Sequence, residues 1–155
     1  TVLYGATAGY LFAAGRAGER FAVRNSGANV VIEGCGTNGC EYMTGGVAVI
    51  LGSIGANFGA GMTGGMSYIY DPEGAAADLI NMETLVTCPV TVPAWEGQLL
   101  GLIKRHLAET DSRKAAEILQ HWDTEKANFV QVCPKEMLVH LKHPLSTEEQ
   151  AIPAE

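Results

Sequence analysis

Four segments of this chain repeat one pattern at a near-constant spacing, and that period limits the fold more than any other feature. Thr7-Ala8-Gly9, Asn25-Ser26-Gly27, Thr44-Gly45-Gly46 and Thr63-Gly64-Gly65 each open a short apolar or aromatic run, and the runs close on Gly15, Gly34, Gly52 and Asp71. The leading glycines Gly9, Gly27, Gly46 and Gly65 lie 18, 19 and 19 residues apart. Met-Thr-Gly-Gly occurs twice verbatim, ending at Gly46 and Gly65. A period of this length with strand-like content means stacked coils, none of which can bury its own apolar face. Hairpins of an ordinary sandwich have no reason to hold that register, so a single-stranded parallel β-solenoid with coils of 18–19 residues is expected.

Counting back from the closing residue orders the side chains. Two positions earlier stand Ala13, Ile32, Ile50 and Ile69, and four positions earlier Leu11, Val30, Ala48 and Ser67. Side chains alternate faces along a strand, so both columns point inward and stack as coils pile up. Ala14, Glu33, Leu51 and Tyr70 form a mixed, outward column. Each coil also carries a second stretch, residues 20–24, 40–43 and 59–62, read as extended, with glycines at the corners.

The pattern ends at the turn Asp71-Pro72-Glu73-Gly74, which divides the chain into coils over 1–74 and a different segment over 75–155. Of 19 glycines only Gly97 and Gly101 lie beyond Gly74. The net charge of −7 belongs wholly to the second part, because Arg16, Arg20 and Arg24 balance Glu19, Glu33 and Glu41 in the first seventy residues. After the connector 75–92, Trp95, Leu99, Leu102, Ile103 and Leu107 share one face of a 3.6 period and predict a helix over 94–109. Pro93 suits its start. A second helix is expected over 112–123, with Ser112 as N-cap and Ala115, Ile118, Leu119 and Trp122 on one stripe. Residues 129–132 read as a short extended piece stopped by Pro134, 137–141 as a last helical turn or two, and 146–155 as an acidic tail. Trp95 and Trp122 need a surface, which the side or open end of the solenoid offers.

Composition excludes several classes of function. An acidic chain lacks the basic patch that nucleic acid requires. No apolar run approaches the ~20 residues of a membrane span, and Thr1-Val2-Leu3-Tyr4-Gly5 has no signal-peptide character, which points to the cytoplasm. Cys35, Cys40, Cys88 and Cys133 lack disulfide-framework or zinc spacing and read as reduced structural thiols.

Gly34-Cys35-Gly36-Thr37-Asn38-Gly39 matches G-x-G-x-x-G. A dinucleotide site needs a helix directly after it and an acidic residue about 20 positions on. Here Glu41-Tyr42-Met43 runs into Gly45-Gly46, and no acid lies between Glu41 and Asp71. These glycines are coil corners. An acyltransferase of the hexapeptide type would need an aliphatic residue every six positions and a histidine among the coils. Neither is present, since His106, His121, His140 and His143 all lie beyond them without metal-ligand spacing. His106 falls on the apolar helical stripe and reads as a core histidine. A solenoid hydrolase would need paired carboxylates; Glu33 and Glu41 read instead as solvated surface acids. The residues assign no catalytic, cofactor-binding or metal-binding role.

Three strings carry a resemblance: Ala13-Ala14-Gly15-Arg16-Ala17-Gly18-Glu19-Arg20-Phe21-Ala22-Val23-Arg24-Asn25-Ser26-Gly27, then Glu33-Gly34-Cys35-Gly36-Thr37-Asn38-Gly39-Cys40-Glu41-Tyr42-Met43-Thr44-Gly45-Gly46, then Asn57-Phe58-Gly59-Ala60-Gly61-Met62-Thr63-Gly64-Gly65. They closely resemble the GXGXG-type β-helix domain at the C-terminus of the glutamate synthase large subunit. The similarity continues through Leu102-Ile103-Lys104-Arg105-His106 and Ile118-Leu119-Gln120-His121-Trp122. The resemblance implies a right-handed parallel β-helix followed by C-terminal α-helices. It implies a parent oxidoreductase that hydrolyses glutamine in an amidotransferase domain and passes the ammonia to 2-oxoglutarate in an FMN-binding synthase domain. Electrons arrive there through FMN and an iron-sulfur cluster from NADPH or ferredoxin. The family's nucleophile, FMN site and cluster cysteines belong to other domains, so this segment is expected to be structural, free of cofactor, and partnered by those domains. A β-helix scaffold subunit of another redox enzyme, such as formylmethanofuran dehydrogenase, is the competing expectation. The family's β-helix begins several coils before the position of Thr1. The chain is therefore expected to start inside a solenoid and either to cover its open end or to self-associate there.

Overall fold

The computed structural model describes residues 1–145. The acidic tail expected over 146–155 lies outside the described residues. Four strands, β1 (Tyr10–Phe12), β2 (Ser26–Ile32), β3 (Thr44–Ile50) and β4 (Gly64–Tyr70), stack in parallel as successive coils. The mostly β solenoid followed by C-terminal helices is therefore present, with three turns linking four rungs. Its register is the one that the period predicts. Leu11 pairs with Val30, Val30 with Ala48 and Ala48 with Ser67, while Ile32 pairs with Ile50 and Ile50 with Ile69.

Both inward columns line one core together with Phe21, Cys35, Cys40, Met43, Phe58 and Met62. Ser67, the one polar member, is fully buried and donates from Oγ to the Ala48 carbonyl at 3.0 Å, which removes the cost of an unpaired hydroxyl. Asn25 is buried at the corner before β2. Its Oδ1 accepts from the amides of Gly27 and Ala28 and its Nδ2 donates to Ala28 O, stabilising the bulge between Ser26 and Asn29.

The second stretch of each coil is not extended. Every other residue there has positive φ: Arg20, Ala22 and Arg24, then Asn38, Cys40 and Tyr42, then Asn57, Gly59 and Gly61. The backbone groups turn alternately up and down the axis. Ala22, Cys40 and Gly59 donate back to Val2, Phe21 and Gly39, whereas Arg20, Arg24, Asn38 and Tyr42 donate forward to Thr37, Glu41, Ala56 and Ala60. A non-glycine residue costs roughly 1–2 kcal/mol in this region. Hydrogen bonds to the coils on either side and the burial of Ala22 and Cys40 offset that cost.

The last coil closes by a change of direction. β6 (Phe129–Pro134) runs antiparallel to β4, and β5 (Leu85–Pro89) runs antiparallel to β6, giving a six-stranded sheet ordered β1-β2-β3-β4-β6-β5. β5 arises in the stretch read as a mixed connector. Val132 and Val130 continue the inward columns against Ser67 and Ile69, and Ile80 bridges Phe58.

Three helices cover the side of the solenoid. These are α1 (Pro93–Thr110), α2 (Arg113–Gln120) and α3 (Trp122–Glu125). Ser112 caps α2 by accepting from Ala115 N at 3.1 Å, and the helical path breaks at His121 instead of running on through Trp122. Leu99, Ile103, Ala115 and Ile118 form a second core with Val31, Val49, Leu51 and Tyr68 on the outer face of the sheet. Leu51, from the outward column, is therefore fully buried. Where a last helical stretch was expected over 137–141, a single 3-10 turn, Lys135–Met137, is followed by irregular chain.

Candidate functional site

A polar cluster joins the helices to the coils. Glu33 stands just beyond the end of β2 in the outward column, and its Oε2 accepts from Ser112 Oγ at 2.6 Å. His106 Nε2 approaches the same oxygen at 2.9 Å. His106 is fully buried and the Glu33 side chain is 18% exposed. Glu33 is therefore not the solvated surface acid expected from its neighbours in sequence; it is gripped by two residues of the helical layer. With the carboxylate as acceptor, the imidazole presents Nε2–H and leaves Nδ1 without a hydrogen-bond partner among the described residues. Serine, histidine and glutamate here do not form a nucleophilic triad, because Ser112 Oγ bonds to the carboxylate and to the Ala115 amide, not to the imidazole. The arrangement is a clamp: one carboxylate ties the cap of α2 and the C-terminal half of α1 to the solenoid.

Sequence reasoning placed His106 in the core and Ser112 at a cap, but did not bring either to Glu33. They lie 73 and 79 residues from it. The signal was a single charge standing between Ala14 and Leu51 in a column that helices were free to cover.

The glycines of Gly34-Cys35-Gly36-Thr37-Asn38-Gly39 face their own protein. A Cβ at Gly39 would stand 3.1 Å from the Phe58 ring and 3.0 Å from Cys35 Sγ, and one at Gly36 3.1 Å from the Glu19 amide nitrogen. At Gly34 it would meet the Arg16 side chain at 2.9 Å. Arg16 spans three coils, donating to Cys35 O at 3.0 Å and to Ser53 Oγ. The space that these glycines leave is filled by neighbouring coils, so the segment does not fit a flavin or dinucleotide phosphate.

The buried thiols are held in their neutral form. Burial pushes the Cys35 thiol up to about 11, partly countered by the Gly55 amide and Arg16, and burial holds Cys40 well above the ordinary range. Burial likewise raises Cys133 to about 11. Among the described residues no group of three or more His, Cys, Asp or Glu side chains is placed to hold a metal. No helix among them is long and apolar enough to cross a membrane.

A stacked-coil domain whose glycines serve coil packing, with a helical layer clamped on its side, is the class that fold and site define. The chain belongs to the GXGXG motif family, whose model matches residues 1–135. It is similar to the NADPH glutamate synthase large chain of Azospirillum brasilense, with 63% identity over 145 residues, 94% of this chain and 10% of that protein. It is 54% identical over 134 residues to the ferredoxin-dependent glutamate synthase of Pyropia yezoensis, covering 86% of this chain and 9% of the relative. It is 48% identical over 149 residues to the NADH glutamate synthase of Schizosaccharomyces pombe, covering 96% of this chain and 7% of the relative. The chain thus spans about a tenth or less of the length of these relatives.

Proposed function

We propose that this chain is the structural, non-catalytic β-helix part of a glutamate synthase large subunit, the oxidoreductase that makes L-glutamate from glutamine and 2-oxoglutarate in ammonia assimilation. The observation that carries the reading is the 63% identity along 94% of the chain. The structural role is supported by what its polar groups do. Arg16, Asn25, Glu33, His106 and Ser112, the residues best equipped for chemistry, are engaged in holding coil to coil or helix to coil. In this reading the parent works in the cytoplasm. Its FMN, iron-sulfur cluster and electron donor, NADPH or ferredoxin, meet other domains, and this chain packs against the amidotransferase and synthase parts of the same polypeptide. Residues 1–74 act as the rigid solenoid, and the described residues beyond them extend its sheet and cover its side. Catalytic, cofactor and metal residues of this segment are proposed to be none.

Two measurements test the reading. The purified chain is expected to be colourless and to show neither glutaminase nor glutamate synthase activity; bound flavin in its absorbance spectrum overturns the assignment. In the full-length enzyme, Glu33→Ala is expected to loosen the helical layer and lower thermal stability while leaving glutaminase kcat within about twofold, as for a residue that makes no transition-state contact. A large loss of kcat at unchanged stability contradicts a scaffold role.

A further inference from the structure

A cavity of about 230 Å³ opens where the ends of β3 and β4 meet the start of α2. Its apolar lining comes from Ile54, Ile69 and Leu79, the first two almost wholly buried. Lys114, in the first turn of α2, lines it as well. The lysine reaches in across Gly52: a Cβ built at Gly52 would stand 3.4 Å from its Nζ, and the Tyr70 ring lies 5.7 Å from the same ammonium. Asp71 lines the same cavity. Its carboxylate is held rigidly, Oδ1 accepting from the Ala75 amide at 3.0 Å and Oδ2 from the Ala76 amide at 3.1 Å, and each oxygen keeps a lone pair.

The two charges do not meet. Lys114 makes no ion pair with a carboxylate among the described residues, although an ammonium and a carboxylate line one small cavity with an apolar lining. Sites for drug-sized ligands run to about 300–1,000 Å³, so an occupant must be smaller. A plain anion would meet the unfavourable field of Asp71 and Glu73, which also lines the cavity, and a plain cation would leave the Lys114 ammonium without a counter-charge. A molecule carrying both charges at one end and a short hydrocarbon at the other satisfies all three surfaces.

We propose that this cavity binds a free α-amino acid with an aliphatic side chain, its carboxylate on Lys114, its ammonium on Asp71 and its hydrocarbon on Ile54, Ile69 and Leu79. The site is independent of the scaffold reading: its failure leaves that reading intact, and a chain with catalytic activity would leave the site to be judged by binding alone.

The test is a titration of the 15N-labelled chain, followed by amide shifts, with L-leucine and with its two half-molecules, isopentylamine and 4-methylpentanoate. Leucine is expected to shift Ser53, Asp71 and Ala76 saturably. Each half-molecule should bind about tenfold more weakly or worse, since each lacks one charge-assisted contact. Lys114→Met is expected to weaken leucine at least about tenfold, and Lys104→Met, on the exposed side of α1, to leave it unchanged. Asp71→Asn, which keeps an oxygen for one of the Ala75 and Ala76 amides and removes the charge, should weaken leucine without weakening 4-methylpentanoate. Dispersed spectra identify the variants that remain folded. Absence of saturable shifts overturns the proposal, as does equal binding of 4-methylpentanoate and leucine, or unchanged binding by folded Lys114→Met.

Discussion

The first and the last of the described coils are built on opposite terms. At the first coil, β1 is only three residues long and, among the described residues, pairs with β2 alone. Val2, Leu3, Leu11, Ala13 and Ala17 reach the core only partly buried, and Tyr4 and Tyr10 are 62% and 54% exposed. At the last coil, β6 crosses antiparallel to β4, and Ile69, Leu85 and Val132 are at most 1% exposed. The difference teaches how a stack of parallel strands ends. Each added coil satisfies the previous edge and presents an equivalent new one, so repetition cannot close the stack. A strand of opposite direction, supplied from beyond the helices, supplies the closure.

The largest expected effect comes from placing a charge in the same inward column at each end. Val132→Asp should cost more than about 4 kcal/mol, since it buries an unpaired carboxylate. Leu11→Asp should cost about 1 kcal/mol in this chain, because Leu11 is only partly buried and the introduced carboxylate would reach water. Urea unfolding of both variants measures the difference, and equal costs would erase the distinction between the two coils.

A smaller effect is expected from adding one methyl group. Gly39→Ala presses on Phe58 and Cys35 in the packed middle coils and should destabilise by about 1–3 kcal/mol. Gly15→Ala, where nothing lies within 4 Å, should stay within about 0.5 kcal/mol. Thermal melts of the pair show whether tight coil packing extends to the first coil.

Glu33→Gln should cost about 1–2 kcal/mol, as one charge-assisted acceptor becomes neutral. Trp95 and Trp122 both belong to the helical layer, so their fluorescence is expected to report its loosening. Fluorescence and far-UV transitions that still coincide with wild type would show that the clamp adds nothing to the join between helices and coils.

The thiols give the weakest test. Cys35 and Cys133 are raised from 9.0 to about 11 by burial. A folded pKa above the unfolded one means that the unfolded chain releases its proton first on going alkaline. The stabilisation is therefore complete below pH 9 and is lost as pH rises toward 11. The melting temperature should be flat from pH 7 to 8.5 and fall above 9, and Cys35→Ala should make the fall shallower. An unchanged slope in that variant would mean that Cys35 is not a source of it.

Much of the solenoid was legible because its cause is local and periodic. Ile32, Ile50 and Ile69 face the core since each stands two residues before a corner, and Ser112 caps a helix by contacts within its own turn. Three features were not. The alternating left-handed residues include Arg20, Ala22, Cys40 and Tyr42, which carry no glycine signal, because coil-to-coil hydrogen bonds select that backbone. β5 lay unseen, since Leu85-Val86-Thr87-Cys88-Pro89 is extended only by pairing with β6. Glu33 looked solvated because the residues that cover it come from 73 and 79 positions away.

By itself, then, the sequence determined the coil period, the inward columns, the helical stripes and the corner role of Gly34, Gly36 and Gly39, all of them consequences of spacing along the chain. Only the tertiary structure decided where the stack closes, which face the helices cover, and that Lys114 and Asp71 share one cavity without touching. Those outcomes depend on the relative placement of whole elements, and the physical terms that set it act between residues that no local pattern links.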